Sequence, residues 1–150
     1  MKKQNFLIYL LLLFLLSFLS ISGCDYITGF STESQISSQQ QQIINISAVE
    51  AFDIIQANTG DPDFVIIDVR TPAEYTDGHI ENAVLVDYNS ADFREEISQY
   101  DRNKKYLIYC RTGRRSAGAR DIMEELGFQY IYHMDGGITE WMAEGLPVVK

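Results

Sequence analysis

The chain is short of cysteine, histidine and positive charge, and each shortage excludes something. Cys24 and Cys110 are its only cysteines, so no disulfide framework can staple it and no paired-cysteine spacing can cage a metal. Its two histidines, His79 and His133, stand isolated in sequence, so no histidine-based metal site is expected either. Twelve Lys and Arg face 21 Asp and Glu, for a net charge of −9. Two of those bases, Lys2 and Lys3, precede any acidic residue, which leaves the remainder more acidic still. An acidic body argues against nucleic acid as a partner, because phosphate binding needs a net basic surface. No internal repeat of useful length is present. What the chain does have is 46% hydrophobic residues in 150, enough for one ordinary domain with a proper core.

The first stretch reads as a targeting segment. Met1-Lys2-Lys3 is a positive start, and Phe6 to Leu19 is almost unbroken apolar, with Ser17 as an interruption. Ile21-Ser22-Gly23-Cys24 then places small residues before a cysteine. This resembles the lipobox of bacterial lipoproteins. The resemblance implies a signal peptide over residues 1–23, cleavage between Gly23 and Cys24, and a lipid on Cys24. That lipid would hold the chain to a bacterial membrane, with the domain outside the cytoplasm in the cell envelope. A plain secretory signal or an uncleaved anchor are the alternatives, the apolar run lying near the lower limit for spanning a bilayer. Asp25 resembles an inner-membrane retention signal of enteric lipoproteins, a rule that varies by organism and leaves the choice of membrane open. Residues 24–42 follow as the lipidated cysteine and a flexible tether. The part from Thr28 to Gln42 is rich in Ser and Gln and without apolar periodicity, although a short helix through the Gln run is an alternative. With Cys24 lipidated, Cys110 is the one free thiol, and an exposed thiol in an oxidising compartment is a liability unless it is used.

Residues 43–150 read as the folded domain. Ile43 to Ile46 is a short apolar patch. Ser47 and Glu50 form a capping box for a helix to about Asn58, with Val49, Phe52, Ile54 and Ile55 on its buried side. Phe64 to Ile67 is a continuous apolar strand of the kind buried on both faces. Thr71-Pro72 starts a helix with proline in its first turn. Ala83 to Val86 is a strand, and Ala91 to Tyr100 a helix with Ser90 as a candidate cap. Tyr106 to Tyr109 is the central strand, and Ser116 to Leu126 a helix closed by Gly127. Tyr130 to Tyr132 is a further strand. A turn at Met134 to Gly137 leads into a helix over Ile138 to Glu144, with Trp141 on its inner face. The nine tyrosines fit sheet and surface positions rather than a stacking platform. Strands alternating with helices predict an α/β fold with a mostly parallel central sheet covered by helices on both faces.

The stretch that carries chemistry is Tyr106 to Ser116. It places Cys110 at the carboxyl end of a strand, in a short loop before a helix N-terminus. In open α/β sheets that is where ligands bind, and the helix dipole and unpaired N–H groups there favour an anion. A thiolate is such an anion, so Cys110 should ionise readily and act as a nucleophile. Arg111, Arg114 and Arg115 add positive charge at a helix end where cations are otherwise unfavourable, which calls for a local anion. The plain alternative, a small buried hydrophobe, leaves those three arginines without a reason.

Several separated pieces occur together: Asp68-Val69-Arg70, Glu74-Tyr75, Gly78-His79-Ile80, Asn82-Ala83, the Cys110–Ser116 loop, and Gly136-Gly137 with Trp141. In that order and spacing they resemble a single rhodanese domain over Ile43 to Lys150. The resemblance implies sulfur transfer through a persulfide on Cys110. A small anionic donor such as thiosulfate supplies the sulfur, and cyanide or a thiol takes it away; a protein acceptor would be of unknown identity. No cofactor is implied. The loop amides of Arg111 to Arg115 should turn inward to cradle the persulfide, with Gly113 permitting the tight turn. Arg111, Thr112, Gly113, Arg114 and Arg115 are the candidate donor-binding residues, and Asp68, Arg70 and Ser116 the supporting ones. Asp68 and Arg70 read best as a structural ion pair or as partners for loop backbone. His79 reads as structural, Glu74 as a helix-surface or pairing residue, and Trp141 as core.

Two other readings remain. Cys-loop phosphatases and arsenate reductases share a cysteine at a helix N-terminus, but the tyrosine-phosphatase pattern needs five residues between Cys and Arg. Here Arg115 follows Cys110 after four, and Ser116 takes the arginine's position. A non-catalytic docking or regulatory module is the second, although such rhodanese-like units usually lack the loop cysteine.

Overall fold

The computed structural model describes residues 40–150. The leader, Cys24 and the tether as far as residue 39 lie outside the described residues. Five strands form one sheet: β1 (Gln42–Ile46), β2 (Phe64–Asp68), β3 (Val84–Leu85), β4 (Lys105–Tyr109) and β5 (Tyr130–Met134). Five helices connect or follow them: α1 (Ala48–Ala57), α2 (Pro72–Asp77), α3 (Phe93–Ser98), α4 (Arg114–Glu125) and α5 (Gly137–Ala143). The strand order is β1-β5-β4-β2-β3, and every neighbouring pair runs parallel. This is the expected α/β architecture.

Alternation along the strands divides the core in two. Tyr106, Ile108 and Cys110 turn to one face of β4, where Phe93 and Ile97 of α3 and Ala119 and Met123 of α4 cover them. Leu107 and Tyr109 turn to the other, against Ala48 and Ala51 of α1 and Ile138 and Trp141 of α5. Because both faces are covered, the central strands carry unbroken apolar runs rather than an alternation.

Most elements match the sequence reading, with differences of physical origin. The patch Ile43–Ile46 is an edge strand, with Gln42 already paired opposite Tyr130. The Gln41 side chain donates to the carbonyls of Glu124 and Phe128 at 2.9 and 2.8 Å. So Gln41 and Gln42, assigned by composition to the tether, belong to the folded unit. In α1 the capping box of Ser47 and Glu50 is present, but Val49 faces solvent and the small Ala48 and Ala51 meet the sheet. Close helix–sheet approach selects alanine there, which a hydrophobicity pattern underweights. Helix α3 is shorter than expected and begins after Asp92, with Ser90 accepting from the Asp92 N–H in the preceding turn. Trp141 is buried and donates to the Pro147 carbonyl at 2.9 Å.

The fold places one loop specially. From β2 the chain moves outward to β3; from β4 it moves the opposite way, to β5. The loops after β2 and β4 therefore diverge at the point where the strand order reverses, the usual crevice for a ligand in such sheets. Cys110 opens the second of these loops.

Candidate active site

Helix α4 begins at Arg114, two residues earlier than the sequence suggested. Its N-cap is Gly113 at φ 84°, with no capping side chain of its own. Normally an N-cap oxygen accepts from the second or third helical N–H. Here the Cys110 sulfur lies by that turn, and the N–H groups of Ser116, Thr112 and Arg115 all favour its ionised form. The Ser116 hydroxyl also lies 3.5 Å from Sγ. The thiol thus lies against the N-terminal turn of α4.

Burial is the largest single influence on this thiol and pushes its pKa up. The Ser116 hydroxyl and the N–H groups of Ser116, Thr112 and Arg115 pull it down, and the net direction is below that of an ordinary cysteine. Charge-assisted hydrogen bonds of this kind favour the ionised form. A hydroxyl and backbone amides thus lead the stabilisation of the thiolate, the amides as the sequence suggested, and the Arg115 guanidinium bears on the sulfur as well. The expectation of an exposed thiol is corrected too, since Cys110 is only 1% accessible.

What turns the amides inward lies on the far side of the loop. The N–H groups of Ile138 and Thr139, in the first turn of α5, donate to the carbonyls of Cys110 and Arg111 at 2.8 and 3.0 Å. With its carbonyls held outward, the loop presents N–H groups to the sulfur. That contact needs Gly137, at φ 61°, because a Cβ there would strike the backbone of Cys110 and Arg111. Gly113 is constrained likewise by the Asp135 carbonyl. The pair Gly136-Gly137, read from sequence as a plain turn, is half of the cradle.

The three arginines separate. Arg115 pairs bidentately with Glu74, at 2.8 and 2.7 Å, and the Cys110 sulfur bears on the same guanidinium. Glu74 also closes a capping box with Thr71 at the start of α2, so the one carboxylate ties the β2 loop to the β4 loop. Arg111 and Arg114 are exposed and make no ion pair among the described residues. Thr112 is exposed at the loop tip.

The Glu74 pairing has a pH consequence. Arg115, foremost, holds the Glu74 carboxyl down at about 2, against an ordinary 4.5. A carboxylate with a depressed folded pKa stabilises the fold fully above its unfolded value and loses that contribution as pH falls through the folded one. The loss accordingly falls between about pH 4.5 and 2. In Glu74→Gln that part of the acid-denaturation curve should flatten, with neutral-pH stability reduced by ~1 kcal/mol, the scale of a partly solvated ion pair. Urea melts across this range read both effects.

Asp68 and Arg70 are the ion pair that the sequence suggested. Nε of Arg70 donates to both Asp68 oxygens at 3.0 and 2.9 Å and Nη2 to one of them at 2.6 Å, with the Asp68 and Arg70 side chains 0% and 6% accessible. Arg70 also donates to the Gly78 carbonyl at 2.7 Å, and Asp68 accepts from the Arg70 N–H at 2.9 Å. Their role is to fix the loop between β2 and α2. His79 is structural: it stacks on Tyr75 at 3.7 Å and pairs through its backbone with Val149.

His133 is the residue that sequence reasoning passed over. It is buried on β5, with Nε2 3.0 Å from the Ser116 hydroxyl and 3.2 Å from the Gly113 carbonyl. Its Nδ1 lies 3.0 Å from Asn45 Oδ1 on β1. Nothing local marks it; only the parallel register brings β5 alongside the loop.

Three comparisons bear on this geometry. A family model, the rhodanese-like domain, matches residues 52–144. Among curated relatives, a tRNA uridine(34) hydroxylase of Citrobacter koseri is 38% identical over 104 residues, covering 63% of this chain and 29% of that protein. The same-named protein of Yersinia pestis (strain Pestoides F) is 35% identical over 114 residues, covering 69% and 32%. The chain spans about a third of the length of these relatives. Among solved structures, a rhodanese-related protein of Thermoplasma volcanium aligns with TM-score 0.59 at 33% identity, covering 72% of this chain and 97% of that one. The polysulfide-sulfur transferase of Wolinella succinogenes aligns with TM-score 0.58 at 28% identity, covering 77% and 84%. Motif order, sheet topology and the family match over residues 52–144 agree, and the chain belongs to the rhodanese family.

Proposed function

We propose that this chain is a sulfurtransferase that carries sulfane sulfur as a persulfide on Cys110. The observation that carries the reading is the cradle itself: a thiol whose ionised form is favoured by three inward N–H groups and a hydroxyl. In the first half-reaction the Cys110 thiolate attacks the outer sulfur of a thiosulfate-like donor. An S–S bond forms, the donor's own sulfur–sulfur bond breaks, and sulfite leaves with the electron pair. In the second, cyanide or a thiolate attacks the outer persulfide sulfur and returns Cys110 as thiolate. Covalent catalysis in two halves predicts ping-pong kinetics. A sulfur that is 1% accessible favours donors presenting a slim terminal sulfur.

Arg111 and Arg114, exposed and without an ion pair among the described residues, are the groups for the donor's anionic oxygens, whereas Arg115 is paired with Glu74. Arg111→Ala together with Arg114→Ala should raise KM for thiosulfate roughly tenfold at low ionic strength with kcat little changed, and the difference should shrink as salt screens the charges. Steady-state rates at two salt concentrations decide it. The reading as a whole is tested by treating the purified full chain with thiosulfate and measuring intact mass. A gain of one sulfur, released by cyanide as thiocyanate, is expected; no adduct would leave the docking-module reading standing. Release of phosphate from an aryl phosphate without thiocyanate would favour a phosphatase.

The name of the Wolinella relative, a polysulfide-sulfur transferase, supports sulfur chemistry. No tRNA is proposed as a substrate, because a chain of net charge −9 repels a polyanion. The domain is proposed to sit in the cell envelope, held to the membrane by a lipid on Cys24. Cys24→Ala should then release the protein from the membrane fraction, and the absence of lipid mass on the mature chain would refute the anchor.

A further inference from the structure

The Cys110 thiol needs somewhere to send its proton, and the cradle's amides cannot take it, being donors only. The Ser116 hydroxyl is next to the sulfur, 3.5 Å away, but a serine can pass a proton on only if something accepts its own. His133 lies on the other side of that hydroxyl.

The tautomer of His133 follows from its neighbours. Arg120 donates to Asn45 Oδ1 at 3.1 Å, which fixes that atom as the oxygen. The same oxygen faces His133 Nδ1 at 3.0 Å and can only accept, so Nδ1 carries a hydrogen. In the neutral ring Nε2 is then a lone pair 3.0 Å from the Ser116 hydroxyl, whose proton has the Gly113 carbonyl at 3.0 Å and the Cys110 sulfur at 3.5 Å as its other acceptors. When Nε2 gains a proton, it finds a second acceptor ready in the Gly113 carbonyl at 3.2 Å. The protonated ring thus has an acceptor at each nitrogen, whereas the neutral ring has the Ser116 hydroxyl as its donor at Nε2.

We propose that His133, acting through the Ser116 hydroxyl, is the positioning residue that receives the Cys110 proton when the thiol becomes a nucleophile. The S–H bond breaks and its proton joins Ser116 Oγ, while the hydroxyl's own proton passes to Nε2. No proton is gained or lost by the set. The result is a thiolate that accepts from the new Ser116 O–H, and an imidazolium that donates to Oγ and to the Gly113 carbonyl.

The surroundings keep the resting ring neutral. Burial, the largest influence, lowers its basicity; the Gly113 carbonyl raises it, Arg120 from α4 lowers it, and Asp135 and Asp121 raise it, for a net direction below that of an ordinary histidine. The Cys110 sulfur faces it across Ser116, and β1 contributes only the uncharged Asn45. This inference takes Cys110 as the nucleophile of the proposed function. Its test follows the thiol and the ring and needs no sulfur donor, so its failure is separable from failure of the sulfur-transfer reading.

The full chain is pulsed with iodoacetamide from pH 4 to 9, and alkylation is read on the Cys110 peptide by mass. In the natural protein the rate should show two inflections, one from the thiol and one on the acid side from the ring. In His133→Asn the acid inflection should vanish and alkylation at pH 6 should fall about tenfold, one pKa unit's worth. Ser116→Ala should do the same with His133 in place, and the double variant should add nothing further, as for residues acting in series. If His133→Asn leaves the profile unchanged, the proposal is overturned. Should that variant misfold, nitrogen NMR of His133 in the unmutated protein decides. The neutral ring should carry its hydrogen on Nδ1, and its titration should shift when Cys110 is alkylated, because coupling is reciprocal. A hydrogen on Nε2, or a titration indifferent to alkylation, would overturn it equally.

Discussion

Cys110→Ser should abolish the one-sulfur mass gain after thiosulfate and reduce thiocyanate formation to the uncatalysed background, while the protein unfolds much as before. The two halves of this result come from one geometry. Oxygen at this position can still accept from the N–H groups of Thr112, Arg115 and Ser116 that bear on the sulfur, so the first turn of α4 keeps a polar neighbour. The site is buried and the change near-isosteric, which holds the stability change to about 1 kcal/mol. But a serine hydroxyl ionises far above the working pH and forms no persulfide, so the covalent intermediate disappears with the sulfur. Intact mass after thiosulfate reads the first half, and urea unfolding reads the second. An adduct that persists in Cys110→Ser would place the sulfur on another group and remove the cradle from the mechanism.

The second large effect concerns stability. Arg70→Met should destabilise the fold by about 3–5 kcal/mol, because it leaves the Asp68 carboxylate charged and unpaired where none of it is accessible. The same change abandons the Gly78 carbonyl, which Arg70 reaches at 2.7 Å. The urea midpoint should fall with little change in slope, the surface exposed on unfolding being the same. Replacing both partners, Asp68→Leu with Arg70→Met, should recover a good part of the loss, since apolar groups of similar volume need no counter-charge. Transfer activity should follow the fraction folded, with the residual enzyme keeping its KM. A KM change without a stability change would instead put Arg70 in donor binding.

How much of this was legible in the sequence depended on whether the cause was local. The capping boxes at Ser47–Glu50 and Thr71–Glu74 consist of residues three apart, and the first was readable for that reason. In the second, Thr71 was readable as a helix start and Glu74 as a pairing residue, but the partner, Arg115, lies 41 positions away. The core strands announced themselves as apolar runs, whereas β1, with Gln42 and Asn45 interrupting its isoleucines, read only as a short apolar patch. Helix α1 showed the right period and the wrong face at Val49, since contact distance selects alanine as much as hydrophobicity selects valine.

The amino-acid order by itself determined the alternation of elements, hence the α/β fold, and the placing of a single cysteine between a buried strand and a helix start. These follow from hydrophobic period, caps and glycines, all of which act within a few residues. Only the tertiary structure decided that Arg115 goes to Glu74, that α5 holds the loop carbonyls outward, and that His133 stands behind Ser116. Those contacts join segments brought together by parallel pairing of β4 with β2 and of β5 with β1 and β4. Register between strands distant in sequence is set by packing of the whole sheet, and no window along the chain contains it.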